Sequence, residues 1–338
     1  MKGNITLDPI TIDPITSFSS PTIESSILRL DKLHPIVSGN KWFKLRYYIE
    51  EAIEHKASAI ASFGGPYSNH LVALAYAAKE NNLKSVGYVR ATKEDIITPS
   101  LQEALAYGMQ LEFIGRTHFQ AIKNDLLKTN NSNNLGNNNV NNNDDNKNNN
   151  KGNSIGNNID NVANNIDNVS NNIDSNVYYI DEGGYGALGA KGAATILNEY
   201  CKDYTTIIAS VGTGTMLAGL INAAAPNQKV IGIPILKNEN SIEAEIKSLL
   251  TNSDKPFTLL HSFHQGGYAK TNPALISFMN QLWTSEKIPT DIVYTGKLLF
   301  AVENLLKENY FQEGTKLLVI HSGGLQGNRS LPLGTLLY

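Results

Sequence analysis

The chain has 338 residues, of which 41% are hydrophobic and 17% are charged, and its formal net charge is -3. This length allows two domains with sizeable cores. The lack of a basic stripe argues against a nucleic-acid partner, and no apolar run reaches the roughly 18 residues that a membrane helix needs.

The first residues and the single cysteine bear on cellular location. The N-terminal sequence MKGNITLDPITIDPITSF has no apolar run of the kind found in a signal peptide. Cys201 cannot form an internal disulfide, which fits a reducing compartment. We therefore expect a cytoplasmic protein with no membrane segment, and the histidines show no metal-ligand spacing.

Helix-like and strand-like runs alternate through the first third of the chain. SGNKWFKLRYYIEEAI predicts a helix that begins near its Ser-Gly-Asn start, and SAIASFGG, SVGYVR and QLEFIG predict strands. Further helices are predicted near residues 70–81, 101–107 and 118–127.

Asparagine dominates the segment from residue 129 to residue 176. It has too little apolar surface to offset the entropy lost on folding, so we expect a disordered insertion in a surface loop. Its second half repeats NNIDNVA, NNIDNVS and NNID, which gives a heptad-like spacing of Ile and Val. That spacing is also typical of a small amphipathic helix, but Asn is a poor helix former and we favour a repeat expansion.

The alternation resumes after this segment. Strands are predicted in VYYIDEGG, TTIIASVGTG, KVIGIPIL, DIVYTG and KLLVIHSGG, and helices near residues 187–200, 216–225 and 298–307. Short apolar runs joined by helices indicate parallel sheets that are covered on both faces. The predicted fold class is therefore α/β and doubly wound.

Glycine and hydroxyl residues collect at five of the predicted strand ends. Ligands of doubly wound sheets bind at the carboxyl ends of the strands, so we expect these ends to share one pocket. They are Gly64–Asn69, Gly183–Gly186, Gly212–Thr215, Tyr294–Gly296 and His321–Gly324.

The sequence SVGTGTMLAGL joins a strand to a helix through Gly212, Thr213, Gly214 and Thr215. Glycines let backbone N–H groups approach an anion, and the helix N-terminus adds donors and a favourable dipole. The turn lacks the Gly-Lys-Ser/Thr ending of a P-loop and the spacing of a dinucleotide fingerprint. A phosphate site and a plain tight turn both remain open at this point.

Lys41 lies in the first turn of the predicted helix at SGNK. The helix dipole and desolvation both disfavour a protonated amine there, so we expect a lowered pKa, which suits a Schiff-base lysine. Lys44, one turn further on, is expected to contact solvent or an acid. Lys191 and Lys297 follow other glycine-rich strand ends and are weaker candidates for the same role.

The sequence FGGPYSNHLVALAYAA ends a strand and opens a helix with Ser68 and Asn69. Ser68 can cap this helix whatever else it does. His70 and His321 can each be a packing or capping residue, and His321 is the better candidate for a pocket residue because it lies beside Ser322.

Five motifs in this order resemble the 1-aminocyclopropane-1-carboxylate deaminase/D-cysteine desulfhydrase family: SGNK with KL, GG-x-x-SN, VGTGT, YTGK and HSGG. Members are fold-type-II pyridoxal 5'-phosphate (PLP) enzymes, similar to the β-subunit of tryptophan synthase. The resemblance covers nearly the whole chain except residues 129–176. It implies a homodimer of chains with a large PLP-binding domain, residues 1–45 and 177–338, and a small α/β domain, residues 46–128.

The resemblance also implies the residues that bind the cofactor. PLP forms a Schiff base with Lys41, and its phosphate lies at Gly212, Thr213, Gly214 and Thr215. Asn69 hydrogen-bonds its phenolic oxygen.

The residues around the substrate are implied in the same way. Ser68 lies near the substrate carboxylate and shares acid–base work, and Tyr294 lies near the substrate. Tyr67 stands where the family often has glutamine, so the resemblance does not define that wall of the pocket.

Thr295 and Ser322 bear on the choice of substrate. Family members that open the cyclopropane ring resemble YEGK and H-Leu-GG, with the Glu facing the pyridine nitrogen, whereas desulfhydrase-like members carry small hydroxyl residues at both places. A carboxylate there makes the ring a strong electron sink, and a hydroxyl does not. A weaker sink is sufficient for β-elimination. We therefore predict α,β-elimination of a small amino acid, with D-cysteine as the first candidate substrate.

Three other functions remain open. One is 1-aminocyclopropane-1-carboxylate deaminase. A nucleotide-binding dehydrogenase would need a complete GxGxxG and an acid after the next strand, and neither is evident. A catalytically inactive PLP-binding or interaction protein would use the Asn-rich segment, but the intact Lys41, Ser68, Asn69 and Tyr294 argue against it.

Overall fold

The computed structural model of the chain describes residues 5–92, 97–135, 176–237 and 241–338. Two β-sheets with helices on both faces form its framework, which confirms the predicted doubly wound α/β class. One hydrophobic cluster lies between the sheets and includes residues of both, such as Ile60 and Ile207. Two further clusters cover the outer face of each sheet.

The larger sheet has six strands. They are β1 (Ile12–Pro14), β2 (Ile23–Arg29), β7 (Thr206–Val211), β8 (Lys229–Pro234), β9 (Thr258–Leu259) and β10 (Thr315–His321). Their order in the sheet is β1-β2-β10-β7-β8-β9, and every neighbouring pair is parallel except β1 with β2. The central strands β7 and β10 are almost entirely buried, as expected for a parallel sheet between two layers of helices.

The smaller sheet is wholly parallel in the order β5-β4-β3-β6. Its strands are β3 (Ala59–Gly64), β4 (Lys84–Arg90), β5 (Met109–Ile114) and β6 (Val177–Ile180). β6 pairs with β3, with Val177 opposite Ala59. The predicted domain boundary at residue 177 is therefore wrong for β6, because the backbone of this strand bonds to the small sheet.

The helices connect the strands and lie on both faces of the sheets. They are α1 (Asn40–Glu54), α2 (Asn69–Glu80), α3 (Pro99–Ala106), α4 (Arg116–Leu135), α5 (Ala187–Ala194), α6 (Thr215–Ala223), α7 (Ile242–Ser248), α8 (Pro273–Glu286) and α9 (Thr295–Lys307). In the part of the chain that the structure describes, no helix combines the length and the hydropathy needed to cross a bilayer.

The DIVYTG segment is not a strand, contrary to the prediction. Residues 292–294 form a turn, and α9 begins at Thr295. The Asp291 carboxylate accepts hydrogen bonds from the backbone N–H groups of Val293, Tyr294 and Thr295 at 2.9, 2.9 and 2.8 Å. These local bonds replace the sheet ladder that the apolar run suggests.

Most of the Asn-rich segment, residues 136–175, lies outside the described residues, and with it the heptad-like repeat. Residues 129–135 continue α4 instead of beginning an irregular segment. Five strands and α-helices of the described residues were not predicted from the sequence: β1, β2, β9, α7 and α8. The β2 sequence IESSILR, for example, is too mixed to show a strict alternation of apolar and polar residues.

Candidate active site

Close contact between the start of α1 and the end of β10 positions Lys41. Gly39 has a φ of 65°, and a Cβ added there would lie 1.8 Å from the carbonyl oxygen of Ser322, so only glycine fits. The backbone N–H of Asn40 donates to the same carbonyl at 3.1 Å. Lys41 therefore extends from the first turn of a helix that begins at the carboxyl end of a central strand.

The amine of Lys41 lies in partly buried surroundings. Its Nζ donates to Asn40 Oδ1 at 2.8 Å and lies 5.8 Å from the centroid of the Tyr294 ring. Burial lowers the pKa of Lys41 from 10.5 to about 8, and the Asp291 carboxylate opposes this shift. The lowered pKa that the sequence predicts is confirmed, with burial as its main cause.

The Gly212–Thr215 turn joins β7 to α6, as the sequence predicts. Gly214 adopts the left-handed conformation, with a φ of 77°, which lets the chain enter the helix at once. The hydroxyls of Thr213 and Thr215 lie 3.0 Å apart. Together with the backbone N–H groups at the start of α6, they form a set of donors that suits an anion.

Lys44 lies buried beside this turn. Lys44 is 5% exposed. Burial, and after it the charge of Lys41, lowers the pKa of Lys44 well below 10.5. A Cβ built on Gly183 would lie 3.1 Å from Thr213 Cγ2 and 3.9 Å from Lys44 Nζ, so the ammonium and the turn line one space. The prediction that Lys44 contacts solvent or an acid is wrong, because α1 packs this face against the glycine-rich loop after β6.

Ser68 and Asn69 open α2 as predicted. Ser68 Oγ accepts the backbone N–H of Leu71 at 3.3 Å, so this residue does cap the helix. Asn69 Nδ2 donates to the carbonyl of Gly324 at 3.3 Å, which joins the small-sheet side of the site to the loop after β10. Asn69 Oδ1 is buried and has no hydrogen-bond partner among the described residues, a state that calls for a ligand or a water molecule.

Tyr294 packs its ring on Gly212. A Cβ built on Gly212 would lie 3.2 Å from Tyr294 Cε1 and 3.6 Å from its hydroxyl oxygen, so a larger residue would displace the ring. Burial raises the pKa of Tyr294 well above 10, and Tyr268 and Asp291 add to the shift. The phenol is therefore protonated throughout the physiological pH range.

Thr295 is fully buried and its hydroxyl is bonded on both sides to Asp291. Thr295 Oγ1 donates to Asp291 Oδ1 at 2.6 Å and accepts the N–H of Asp291 at 2.8 Å. This geometry gives Thr295 a structural role at the start of α9, and its predicted contact with a cofactor stays a prediction. Ser322 differs, because within the described residues its hydroxyl has no hydrogen-bond partner.

The two rival lysines have other partners. Lys191 is exposed, and its Nζ lies 4.6 Å from the centroid of the Tyr47 ring. Lys297 is fully buried, and its Nζ donates to the carbonyls of His264 and Gly267. Lys41 is therefore the one of these three that lies beside Tyr294.

The prediction of His321 as a pocket residue is wrong. Its Nε2 donates to the carbonyl of Pro289 at 2.7 Å, and its Nδ1 accepts the N–H of Gly323 and lies 3.4 Å from an oxygen of Asp31. The ring is fully buried among these partners. His70 is also buried, and it shares a 2.8 Å hydrogen bond with Ser62, which fits the packing role.

Tyr268 is a site residue that sequence reasoning missed. It lies in a loop whose carbonyls at His264 and Gly267 accept hydrogen bonds from Lys297, one turn along α9 from Tyr294. Tyr268 is 48% exposed, and its pKa is raised above 10, with desolvation of the phenol as the largest cause and the charges of Asp291 and Glu182 as smaller ones. The residue lies in a loop without periodicity, and the preceding Gly266-Gly267 pair is its only signal in the sequence.

The five glycine-rich segments do meet in one site, four of them at the ends of strands and one, Tyr294–Gly296, at the start of α9. A Cβ built on Gly324 would contact both Asn69 and Asp291, one on Gly212 would contact Tyr294, and one on Gly183 would contact Thr213. The site combines a lysine of lowered pKa, an anion-binding turn, a second buried lysine and two protonated phenols. These features define an α/β enzyme that holds an anionic cofactor beside a reactive lysine.

The chain belongs to the pyridoxal-phosphate-dependent enzyme family, whose model, described as "Pyridoxal-phosphate dependent enzyme", matches residues 16–323. It is therefore a PLP enzyme, and the resemblance seen in the five sequence motifs is confirmed at the level of this family.

Three relatives illustrate the similarity. A Thermotoga maritima protein whose name assigns it provisionally as a 1-aminocyclopropane-1-carboxylate deaminase is 22% identical over 97% of both chains. The mitochondrial bifunctional D-cysteine desulfhydrase/1-aminocyclopropane-1-carboxylate deaminase of Arabidopsis thaliana is 25% identical over 86% of this chain and 70% of its own. The crystal structure of an ACC deaminase homologue superposes with a TM-score of 0.70 at 18% identity, covering 94% of this chain and 90% of that one.

The residues present fit PLP. Lys44 places a buried amine next to the Gly212–Thr215 turn, and an anion such as a phosphate group bound there would favour the charged form of that amine. Asn69 carries a buried amide oxygen without a partner among the described residues, and its amide nitrogen has a second hydrogen to donate. Lys41 offers a partly buried amine of lowered pKa, the kind of group that a Schiff-base cofactor requires.

Proposed function

We propose that this enzyme catalyses α,β-elimination from a small amino acid, with D-cysteine as the substrate that fits best. D-Cysteine and water would give pyruvate, ammonia and hydrogen sulfide. The observation that carries the proposal is the use of hydroxyl residues, Thr295 and Ser322, at the two positions where ring-opening relatives place Glu and Leu.

The electrostatics at these two positions support the proposal. The Asp291 carboxylate is the acidic group nearest to Thr295, and its oxygens are occupied by three backbone N–H groups and the Thr295 hydroxyl. Ser322, the second of these positions, carries a neutral hydroxyl. When bound, PLP withdraws electrons from the substrate Cα, and a neutral neighbour leaves that withdrawal weaker than a carboxylate would. A weaker sink is sufficient when the leaving group departs readily.

We assign cofactor binding to residues on both sides of the site. Lys41 would carry PLP covalently, Lys44 and the Gly212–Thr215 turn would hold its phosphate, and Asn69 would donate to its phenolic oxygen. The contacts that support this assignment are the shared space of Lys44 and Thr213 and the buried, unsatisfied amide of Asn69.

Lys41 is suited to remove the α-proton of the substrate. With a pKa of about 8, roughly a tenth of its amines are unprotonated at pH 7, whereas fewer than about one in a thousand would be at the ordinary value of 10.5. The hydrogen bond to Asn40 Oδ1 holds the amine in place. A base whose pKa lies near the working pH combines availability with sufficient strength.

The phenols of Tyr294 and Tyr268 are suited to the leaving group of the substrate, and the N-terminus of α2 is suited to its carboxylate. The pKa of each phenol is raised above the ordinary value of 10, so Tyr294 and the half-exposed Tyr268 are both protonated near pH 7, and either can give a proton to the departing thiolate. Ser68 lies at the N-terminus of α2, where a hydroxyl and the helix dipole favour the substrate carboxylate.

1-Aminocyclopropane-1-carboxylate deaminase is the second candidate, because the names of the similar proteins favour it. Ring opening has no α-hydrogen to remove and relies more strongly on electron withdrawal by the cofactor. The absence of a glutamate at position 295 argues for elimination instead.

Enzyme assays would separate these functions. PLP-loaded protein should release pyruvate and sulfide from D-cysteine, with less turnover of L-cysteine and D-serine and little 2-oxobutanoate from 1-aminocyclopropane-1-carboxylate. Lys41→Ala should lose both turnover and the visible absorbance of covalently held PLP, while Lys191→Ala, which removes an exposed lysine, should keep both. Comparable production of 2-oxobutanoate would favour the deaminase, and a cofactor-loaded protein without turnover of any of the four would favour an inactive PLP-binding protein. We expect the enzyme to work as a cytoplasmic homodimer.

A further inference from the structure

Lys297 is a buried cation for which the proposed chemistry has no use. It is the last residue of the YTGK motif and lies in the first turns of α9 with no exposed surface. Its Nζ donates to the carbonyl of His264 at 3.0 Å and to that of Gly267 at 2.5 Å. Both carbonyls belong to residues 264–270, which we name the tyrosine loop because it contains Tyr268.

The tyrosine loop has an unusual backbone. Gln265, Gly266, Gly267 and Ala269 have φ values of 51°, 90°, 111° and 52°, all in the left-handed region. This conformation is unfavourable for Gln and Ala and persists only when the surroundings impose it. The backbone hydrogen bonds within the loop, from Gly267 N to His264 O and from Lys270 N to Gly267 O, are local. Lys297 adds a bond from the body of the protein.

The position of the bond matters because Gly267 directly precedes Tyr268. Lys297 lies three residues after Tyr294, one turn along α9, and its bonds to the carbonyls of His264 and Gly267 hold the tyrosine loop beside the start of that helix. The ammonium thus connects the loop that bears one phenol to the helix whose start bears the other.

We propose that Lys297 is a positioning residue that fixes the Tyr268 phenol against Tyr294 and the substrate. The loop conformation sets the direction of Tyr268, and two hydrogen bonds from one buried ammonium set the loop. The part of the inference that places the two phenols at the substrate rests on the proposed function. The anchoring of the loop itself is independent of which amino acid is turned over.

Lys297→Met is a suitable perturbation. Methionine has a similar length and suits a buried site, but it cannot donate to the loop. The carbonyls of His264 and Gly267 each keep a backbone partner, so the change releases the loop without leaving a carbonyl unsatisfied. Lys307→Met is the matched control, because Lys307 lies on the same helix with 66% of its side chain exposed.

A double-mutant cycle on the PLP-loaded enzyme would test whether Lys297 acts through Tyr268. Lys297→Met should keep the visible absorbance of bound PLP, lower kcat/KM for D-cysteine about 10–100-fold, and leave KM less affected than kcat. Tyr268→Phe should lower kcat/KM similarly, and the double variant should be within about threefold of Tyr268→Phe alone. Lys307→Met should stay within about twofold of the unmodified enzyme. Fully additive effects in the double variant would overturn the proposal.

Tryptic cleavage after Lys270 gives a readout that needs no substrate. The bond between Lys270 and Thr271 should be cut several-fold faster in Lys297→Met than in the unmodified or Lys307→Met protein, as followed by mass spectrometry. Gly267→Ala, which places a side chain at a φ of 111°, perturbs the same loop from its other side and should also speed cleavage. Unchanged cleavage in both variants would overturn the anchoring. Faster cleavage in a protein without lyase activity would uphold the anchoring and refute only the proposed function.

Discussion

Replacing Lys44 by Met should have opposite effects on the cofactor-free and the PLP-loaded protein. In the cofactor-free protein Lys44 is a buried amine beside Thr213 and Gly183, and its pKa is lowered well below 10.5. Replacing buried ionisable groups by apolar residues of similar volume is often stabilising, by up to about 4 kcal/mol. In the loaded protein the same change removes a charge-assisted contact to phosphate, worth about 1.5–3 kcal/mol, so PLP should bind about 10–150-fold more weakly.

The pH dependence gives a second test of the same idea. Because the pKa of Lys44 is lower in the folded than in the unfolded chain, the unfolded chain binds more protons between the two values. The free energy of unfolding of the cofactor-free protein should therefore rise with pH up to about 10.5, and Lys44→Met should lack this contribution.

Thermal unfolding without PLP, at several pH values, and titration with PLP followed by absorbance would measure both effects. Lys247→Met is the matched control, because Lys247 is half-exposed and pairs with Glu243 at 2.8 Å on the surface. It should change neither quantity by more than about 0.5 kcal/mol. A Lys44→Met protein that is less stable without PLP, or that binds PLP as tightly as before, would refute the reasoning.

Two further changes test the frame of the site. Asp291→Asn leaves two of the four donors to the buried carboxylate without an acceptor, so the free energy of unfolding measured in denaturant should fall by about 3–5 kcal/mol. The exposed Asp254→Asn should lower it by less than about 0.5 kcal/mol, and similar values for the two variants would contradict the capping role. Gly39→Ala forces a Cβ to 1.8 Å from the Ser322 carbonyl oxygen at a φ of 65°, so the free energy of unfolding should fall by about 2–5 kcal/mol and PLP should bind more weakly. Gly65→Ala should change neither quantity, because no atom lies within 4 Å of its added Cβ. A stable, PLP-binding Gly39→Ala protein would show that the contact is not needed.

The general position of the site was predictable from sequence because parallel strands bring their carboxyl ends to one edge. The glycine-rich segments that the sequence separates by up to 260 residues, such as those with Gly64 and Gly324, therefore meet in one site. Lys41 was identifiable for a similar reason, because it lies in a helix that starts at that edge, where burial lowers its pKa.

Contacts made by individual side chains were not predictable in this way. DIVYTG has the composition of a strand, and only the bonds of Asp291 to the following N–H groups turn it into a helix start. Lys44 carries a charge that normally marks a surface, and its burial depends on how α1 packs against the loop after β6. Tyr268 lies in a loop whose carbonyls accept hydrogen bonds from Lys297, a residue 29 positions further along the chain, and no local pattern records such a bond.

The path of the chain around β6 bears on how this protein can change and be engineered. α4 ends at Leu135 and the chain returns at Asn176, whose backbone and side chain bond to Ser58, His55 and Lys56 just before β3. This is the amino end of β3 and β6, opposite the carboxyl ends of the strands, where Lys41, Asn69 and the Gly212–Thr215 turn lie. The length of the connection can therefore drift over generations without touching catalysis, and a reporter domain spliced between these two points should leave turnover intact.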